Sequence, residues 1–217
     1  MPINCEMDDT YIKILFLLLG WLLGLISPII VDVIKRRRER VEIRASLKTE
    51  LTELRYRLAC VVHFVEMRFG EANRDLLLWL KPIIESYEGL NQSDNILKLI
   101  NSQLELSDEQ ILAVCKHGKA AAEGALNLKK YTIPLLESKY SLLSAYDTSF
   151  QNRMFEISTH MSMLNEDVDQ ARYYFQLTFN EMSDDNHERV VNNLIDSYLS
   201  YSNRARIIVN HIGEITW

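Results

Sequence analysis

Cysteine is scarce in this 217-residue chain, and the three present, Cys5, Cys60 and Cys115, are odd in number with no C-x-x-C pair among them. That excludes a disulfide framework and a thiolate zinc site as organising features, and it suits a reducing compartment. Clustered metal ligands are lacking too. His63, His117, His160, His187 and His211 are scattered, and only Asp184, Asp185, His187 and Glu188 come together. Acidic residues are expected at a helix start simply to offset the macrodipole, so neither a metal nor another cofactor is expected. The segment Lys116-His117-Gly118-Lys119 lacks the second glycine and trailing Ser or Thr of a phosphate loop. No elbow or flanking signature marks a serine or cysteine nucleophile. Strict period-two alternation between turn signals is absent, as is an internal repeat of 30 to 45 residues, which argues against sheets and solenoids.

Positive charge is in short supply outside one place. The chain has 24 basic and 30 acidic residues, but five of the basic ones are Lys35, Arg36, Arg37, Arg38 and Arg40. From residue 41 onward 18 basic face 25 acidic residues, a net charge of −7. Sequence-independent binding to a polyanion draws on clustered Lys and Arg, so nucleic acid is disfavoured as a general partner.

What the sequence does have is a long uncharged run. Residues 14 to 31 read ILFLLLGWLLGLISPIIV, and extension through Ile34 adds only Asp32. At ~1.5 Å per residue, residues 14–34 reach ~31 Å, enough to cross a bilayer core of ~30 Å. A cleaved secretory signal fits poorly: the run follows Glu6, Asp8 and Asp9 rather than a basic region, is too long, and leads directly into KRRRER, a stop-transfer pattern. A buried core helix of this length would have a polar face. Only Lys13 precedes the span, whereas five basic residues follow it within six positions. The positive-inside bias therefore places residues 35–217 in the cytoplasm and residues 1–13 outside, a single-pass arrangement in the cell inner membrane. The basic run serves as a head-group anchor on membrane lipid, at ~1 kcal/mol per charge near an anionic surface. Gly20 and Gly24 form a small-xxx-small pair, with Pro28 one turn later on the same side, so the span has a face on which helices can approach closely and self-associate. Pro28 costs one backbone hydrogen bond, and Ser27 can re-satisfy a freed carbonyl.

Beyond the basic run, Leu47, Leu51, Leu54, Leu58, Val61 and Val65 recur at spacings of four and three, a heptad seam. It fits a helix packed into a local bundle or a multichain coiled coil. Residues 35–69 are expected as basic run and stalk, and 70–217 as a bundle of about six helices. Asn73 to Glu88 is helical but interrupted by Pro82, and Ser93 and Asp94 open a short helix ending near Leu104. Ser107 and Gln110 form a capping box for a helix reaching about Tyr131. Pro134 separates that helix from a segment ending near Tyr146. A long helix covers about Ser149 to Met182, and Asp185 with Glu188 caps a last one carrying Val191, Leu194, Ile195, Tyr198, Ile208 and Ile212. The fold class is all-α.

One spacing has chemical interest, Arg206-Ile-Ile-Val-Asn-His211. Histidine can act as general acid or base and arginine can hold a phosphate, which suits RNA cleavage. Arg57 with His63 and Arg153 with His160 nearly match the spacing, and at ~100° per residue Arg206 and His211 lie about 140° apart round a helix. With this pair on its C-terminal helix, the chain resembles the small single-span accessory proteins of RNA-targeting type VI CRISPR systems. The resemblance implies an N-terminal membrane helix joined to a divergent HEPN-like helical domain, and a role in antiviral defence by acting on the membrane as an oligomer. Ile207 stands where the HEPN pattern usually has a polar residue after the arginine, which weighs against nuclease activity. Three functions follow as expectations: an oligomeric membrane effector or pore, a membrane scaffold for a cytoplasmic protein partner, and a membrane-tethered ribonuclease.

Overall fold

The structure is a computed structural model and describes residues 5–89, 93–119 and 126–217; side chains are described from Tyr11 onward, except those of residues 93 and 94. The first four residues of the expected N-terminal segment, the capping role of Ser93 and Asp94, and residues 120–125 of the helix expected to reach Tyr131 lie outside what is described. Among the described residues the fold is all-helical: α1 Cys5–Arg68, α2 Arg74–Glu85, α3 Ser93–Leu104, α4 Asp108–Gly118, α5 Pro134–Ser138, a 3-10 turn Tyr140–Ala145, α6 Thr148–Leu177 and α7 Asp184–Gly213. The chain divides into two compact units after Ala45. The first is the α1 segment with the apolar run. The second is Ser46–Trp217, so residues 46–68, expected as a stalk, belong to the same unit as the bundle.

In the first unit every described residue from Tyr11 to Glu42 is exposed, including Leu17 at 74% and Trp21 at 64%. A helix that served as the core of a soluble domain would be covered by that domain. Asp32, the one acid in the stretch 14–34, accepts an ion pair from Arg36 at 2.9 Å.

The second unit is built on the seam of α1 and on the hairpin of α6 and α7. Leu47, Leu51, Leu58 and Val65 are fully buried and Leu54 nearly so, whereas Val61 is half-buried. The seam is used within the chain's own bundle: Arg55 donates to the Val209 carbonyl of α7 at 3.3 Å, and Ser202 of α7 donates to Glu66 at 2.7 Å. Near the end of α7, a Cβ on Gly213 would come within 2.8 Å of the Arg55 guanidinium, the end of a long side chain that would shift to admit it. α7 buries Val191, Leu194, Tyr198, Ile208 and Ile212 as its periodicity predicts, with Ile195 half-buried.

Four local expectations change. Pro82 does not interrupt α2, which runs through it to Glu85 and buries Leu76, Leu77, Leu80, Ile83 and Ile84 on one face. Burying Ile83 and Ile84, at ~1.5–3 kcal/mol each, offsets a proline penalty of ~3 kcal/mol. The Ser107–Gln110 capping box forms, but α4 ends at Gly118 and residues 126–133 are not helical. That segment satisfies its backbone through side chains of the long hairpin instead. Leu126 N–H donates to the Tyr198 hydroxyl at 3.0 Å, Asn165 bonds both backbone groups of Tyr131, and Tyr201 donates to the Lys129 carbonyl at 3.2 Å. α6 ends at Leu177, five residues before Met182, where Thr178 N–H turns back onto the Tyr174 and Phe175 carbonyls. Finally, the residue at the N-cap of α7 is Ser183, with Asp184 and Asp185 in the first turn.

α5 shows how a short element is held. Pro134 sits at its first position, where a missing N–H costs nothing, and the Glu50 carboxylate of α1 accepts from Leu135 N–H at 3.3 Å. Burial pushes the Glu50 carboxyl up against the opposing pull of those N–H groups.

Candidate functional site

The residues with the greatest chemical potential sit along the seam of α6 and α7. Two long antiparallel helices with apolar cores leave their flanking positions for polar side chains, and here those positions hold arginines, carboxylates and a pair of histidines. Arg153 is central. Its guanidinium donates to His211 Nδ1 and reaches Glu156 at 3.0 Å and Glu214 at 2.7 Å. The same His211 Nδ1 lies 3.6 Å from the Glu156 carboxylate. The His211 ring stacks on that of His160, with centroids 5.5 Å apart and planes 24° from parallel. Burial first, then His211 and Arg204, hold the His160 imidazole below its usual pKa, with Glu156 opposing. About two helical turns further along, Arg204 donates to the buried Asp167 at 2.7 Å, and Ser200 donates to the same carboxylate at 3.2 Å. Burial nevertheless pushes Asp167 up.

Arg206 is elsewhere. Its guanidinium lies over the Trp79 ring of α2, 5.0 Å from the centroid, while the Trp79 indole N–H donates to Asn210 at 2.9 Å. The two residues of the Arg206–His211 motif thus engage different helices, as their ~140° separation requires. The histidine is joined to Arg153 and His160, a pair whose own near-match of spacing was visible in the sequence. Each cation that flanks the histidines is already met by a carboxylate, so the seam has the character of a latch between α6 and α7 rather than of a phosphate cradle.

Substituting both Arg206 and His211 with Ala is accordingly expected to leave no RNA-cleavage defect, because the two side chains engage different helices and the wild type is expected to cleave RNA poorly or not at all. Metal-independent cleavage by purified protein, abolished in the double variant, would contradict this.

The seam has a pH signature instead. A histidine whose pKa is lower folded than unfolded makes the unfolded state the better proton acceptor between those two values. Stability therefore falls as pH drops through ~6.5, the unfolded value, towards the folded one. His63, buried at 8% exposure and also lowered by burial, acts in the same direction. Asp167, raised, acts with the opposite sign in a window that begins upward from 3.8. The His160→Gln variant should lose part of the decline in melting temperature between pH 7 and pH 5. An identical pH profile would show that His160 does not titrate with folding.

Neither described cysteine is an activated nucleophile. Burial pushes the Cys60 thiol up to about 11, and it pushes Cys115 up as well. Among the described residues no three His, Cys, Asp or Glu side chains form a group able to hold a metal.

The other predicted site residues lie in the first unit. A Cβ added at Gly20 or at Gly24 would meet nothing within 4 Å, so both open onto free space. Lys35, Arg36, Arg37, Arg38 and Arg40 are all exposed. No protein-family model matches the chain, and no curated protein or solved structure is significantly similar to it.

Proposed function

We propose that this is a single-pass membrane protein that holds its helical bundle at the cytoplasmic face of the inner membrane and acts by self-associating there. The observation that carries the reading is that every residue of the apolar run, 14–34, is exposed. Soluble monomers rarely expose contiguous apolar patches beyond a few hundred Å², so a surface of this kind calls for lipid. Thirteen Leu, Ile, Phe and Val residues lie between Ile14 and Val31. At roughly −0.3 to −0.6 kcal/mol each they favour insertion by about −4 to −8 kcal/mol, more than the roughly +2.5 to +3.5 kcal/mol of one carboxylate at mid-membrane. Asp32 is placed more cheaply than that, at the end of the span beside Arg36.

The resemblance to membrane accessory proteins of type VI CRISPR systems supplies the consequence of assembly: perturbation of the membrane in antiviral defence. A pore would be lined by apolar side chains and gated by dewetting, because the span offers only Ser27 and Asp32 as polar groups. Fusion of topology reporters after Trp217 tests the anchoring. A reporter that works only in the cytoplasm is expected to be active in the membrane fraction. Activity of a periplasm-dependent reporter at that position would overturn the orientation.

A further inference from the structure

The turn between α6 and α7 carries a surface that the bundle does not use. Residues 173–179 read YYFQLTF, four aromatic side chains among seven residues. They form two ring pairs, Tyr173 with Tyr174 at 5.5 Å and Phe175 with Phe179 edge-on at 5.0 Å. Tyr173 is 58% exposed and Phe179 74%, the latter among the most exposed large apolar side chains of the protein. The backbone beneath them is tied down: Thr178 donates to the Phe175 carbonyl at 2.7 Å, Asn180 N–H to Leu177 at 3.0 Å, and His187 N–H to Ser183 at 2.9 Å. Exposed aromatics on a fixed turn lose little conformational freedom when covered, which is the character of an interface anchor.

The charge around them selects the occupant. From Tyr173 to Glu188 the chain carries Glu181, Asp184, Asp185 and Glu188 and no Lys or Arg; the exposed Arg172 and Arg189 flank the stretch, leaving residues 172–189 with two more acidic than basic side chains. All four carboxylates are exposed. Asp184 and Asp185 lie in the first turn of α7. An anionic lipid surface or a nucleic acid would be repelled. A second copy is disfavoured by the same sign, since residues 41–217 carry a net charge of −7.

We infer that the α6–α7 turn is the docking site for a basic amphipathic segment of a partner protein, which seats an apolar side chain on Tyr173 and Phe179 and aligns Lys or Arg with Glu181, Asp184, Asp185 and Glu188. Such a site is independent of whether the membrane helices self-associate. A recruited partner would be selected by two criteria at once, apolar contact and positive charge, which gives specificity against neutral or acidic helices.

The test uses the full chain in nanodiscs of neutral phosphatidylcholine and a fluorescein-labelled helical peptide of Leu and Lys, followed by anisotropy and corrected with empty nanodiscs. The wild type should bind it saturably, with affinity that falls as salt is raised. Phe179→Ser should weaken binding by about tenfold or more, and Phe179→Tyr should restore it. Should Phe179→Ser lower the melting temperature, the exposed pair Asp184→Asn with Asp185→Asn provides the second variant, expected to weaken binding several-fold and flatten the salt dependence. Equal affinity for wild type and variants would overturn the proposal, as would equal binding of a peptide in which Glu replaces Lys. A smaller particle in Phe179→Ser would assign the surface to a second copy, and co-flotation with phosphatidylserine vesicles that depends on Phe179 would assign it to lipid. Either result also overturns the proposal.

Discussion

Replacing Gly20 and Gly24 together with isoleucine is expected to lower the mass of the detergent-purified particle while leaving membrane insertion intact. In lipid, burying Leu against Leu gains nothing over burying it against acyl chains, so close backbone approach at small residues is what drives helix pairing. Within one chain the change is sterically free, because nothing lies within 4 Å of a Cβ at either position. It also makes the span more apolar, which favours insertion. Any loss of assembly therefore reads a contact between chains. If assembly is what acts on the membrane, the same variant loses protein-dependent depolarisation or dye leakage in cells. A particle of unchanged mass in the variant would place the contacts in the bundle instead.

The second large effect is expected at Leu51, fully buried on the α1 seam. Leu51→Ala should destabilise the bundle by about 2–5 kcal/mol through lost burial and the cavity left behind. That corresponds to a fall in melting temperature of roughly 4–20 °C at ~2–4 °C per kcal/mol for a unit of this size. The particle mass should not change, because the seam is satisfied within the chain by contacts such as Arg55 to Val209 and Ser202 to Glu66. Were the seam a multichain coiled coil, the same substitution would dissociate the particle and make the melting temperature depend on protein concentration.

The all-helical character and most helix starts were legible because they are written in local chemistry. The Ser107–Gln110 box forms as its residue types predict, and the segment expected to start at Asn73 does so, with Asn73 accepting from Leu76 N–H at 3.0 Å. The end of α4 was not legible. Residues 126–131 look helical by period, but their backbone groups are claimed by Tyr198, Tyr201 and Asn165, which lie 30 residues or more away in sequence. Pro82 misled for a related reason: the penalty is local, whereas the burial that outweighs it is tertiary. Of the candidate site, what the structure shows of Gly20, Gly24 and the basic run is their exposure; the assembly and lipid contacts expected of them belong to the proposal. The Arg206–His211 pairing was not legible, since spacing along one helix says nothing about which neighbouring helix each side chain meets. Trp79 takes the arginine, and Arg153 with His160 takes the histidine.

The claim that this protein is a membrane-anchored assembly stands most directly on the mass of the native particle, extracted from membranes in a mild detergent and measured by light scattering with the detergent contribution subtracted. A protein mass that is a multiple of the 25.3 kDa chain is predicted. A particle of one chain at all concentrations, or recovery of the protein from the soluble fraction without detergent, would contradict it.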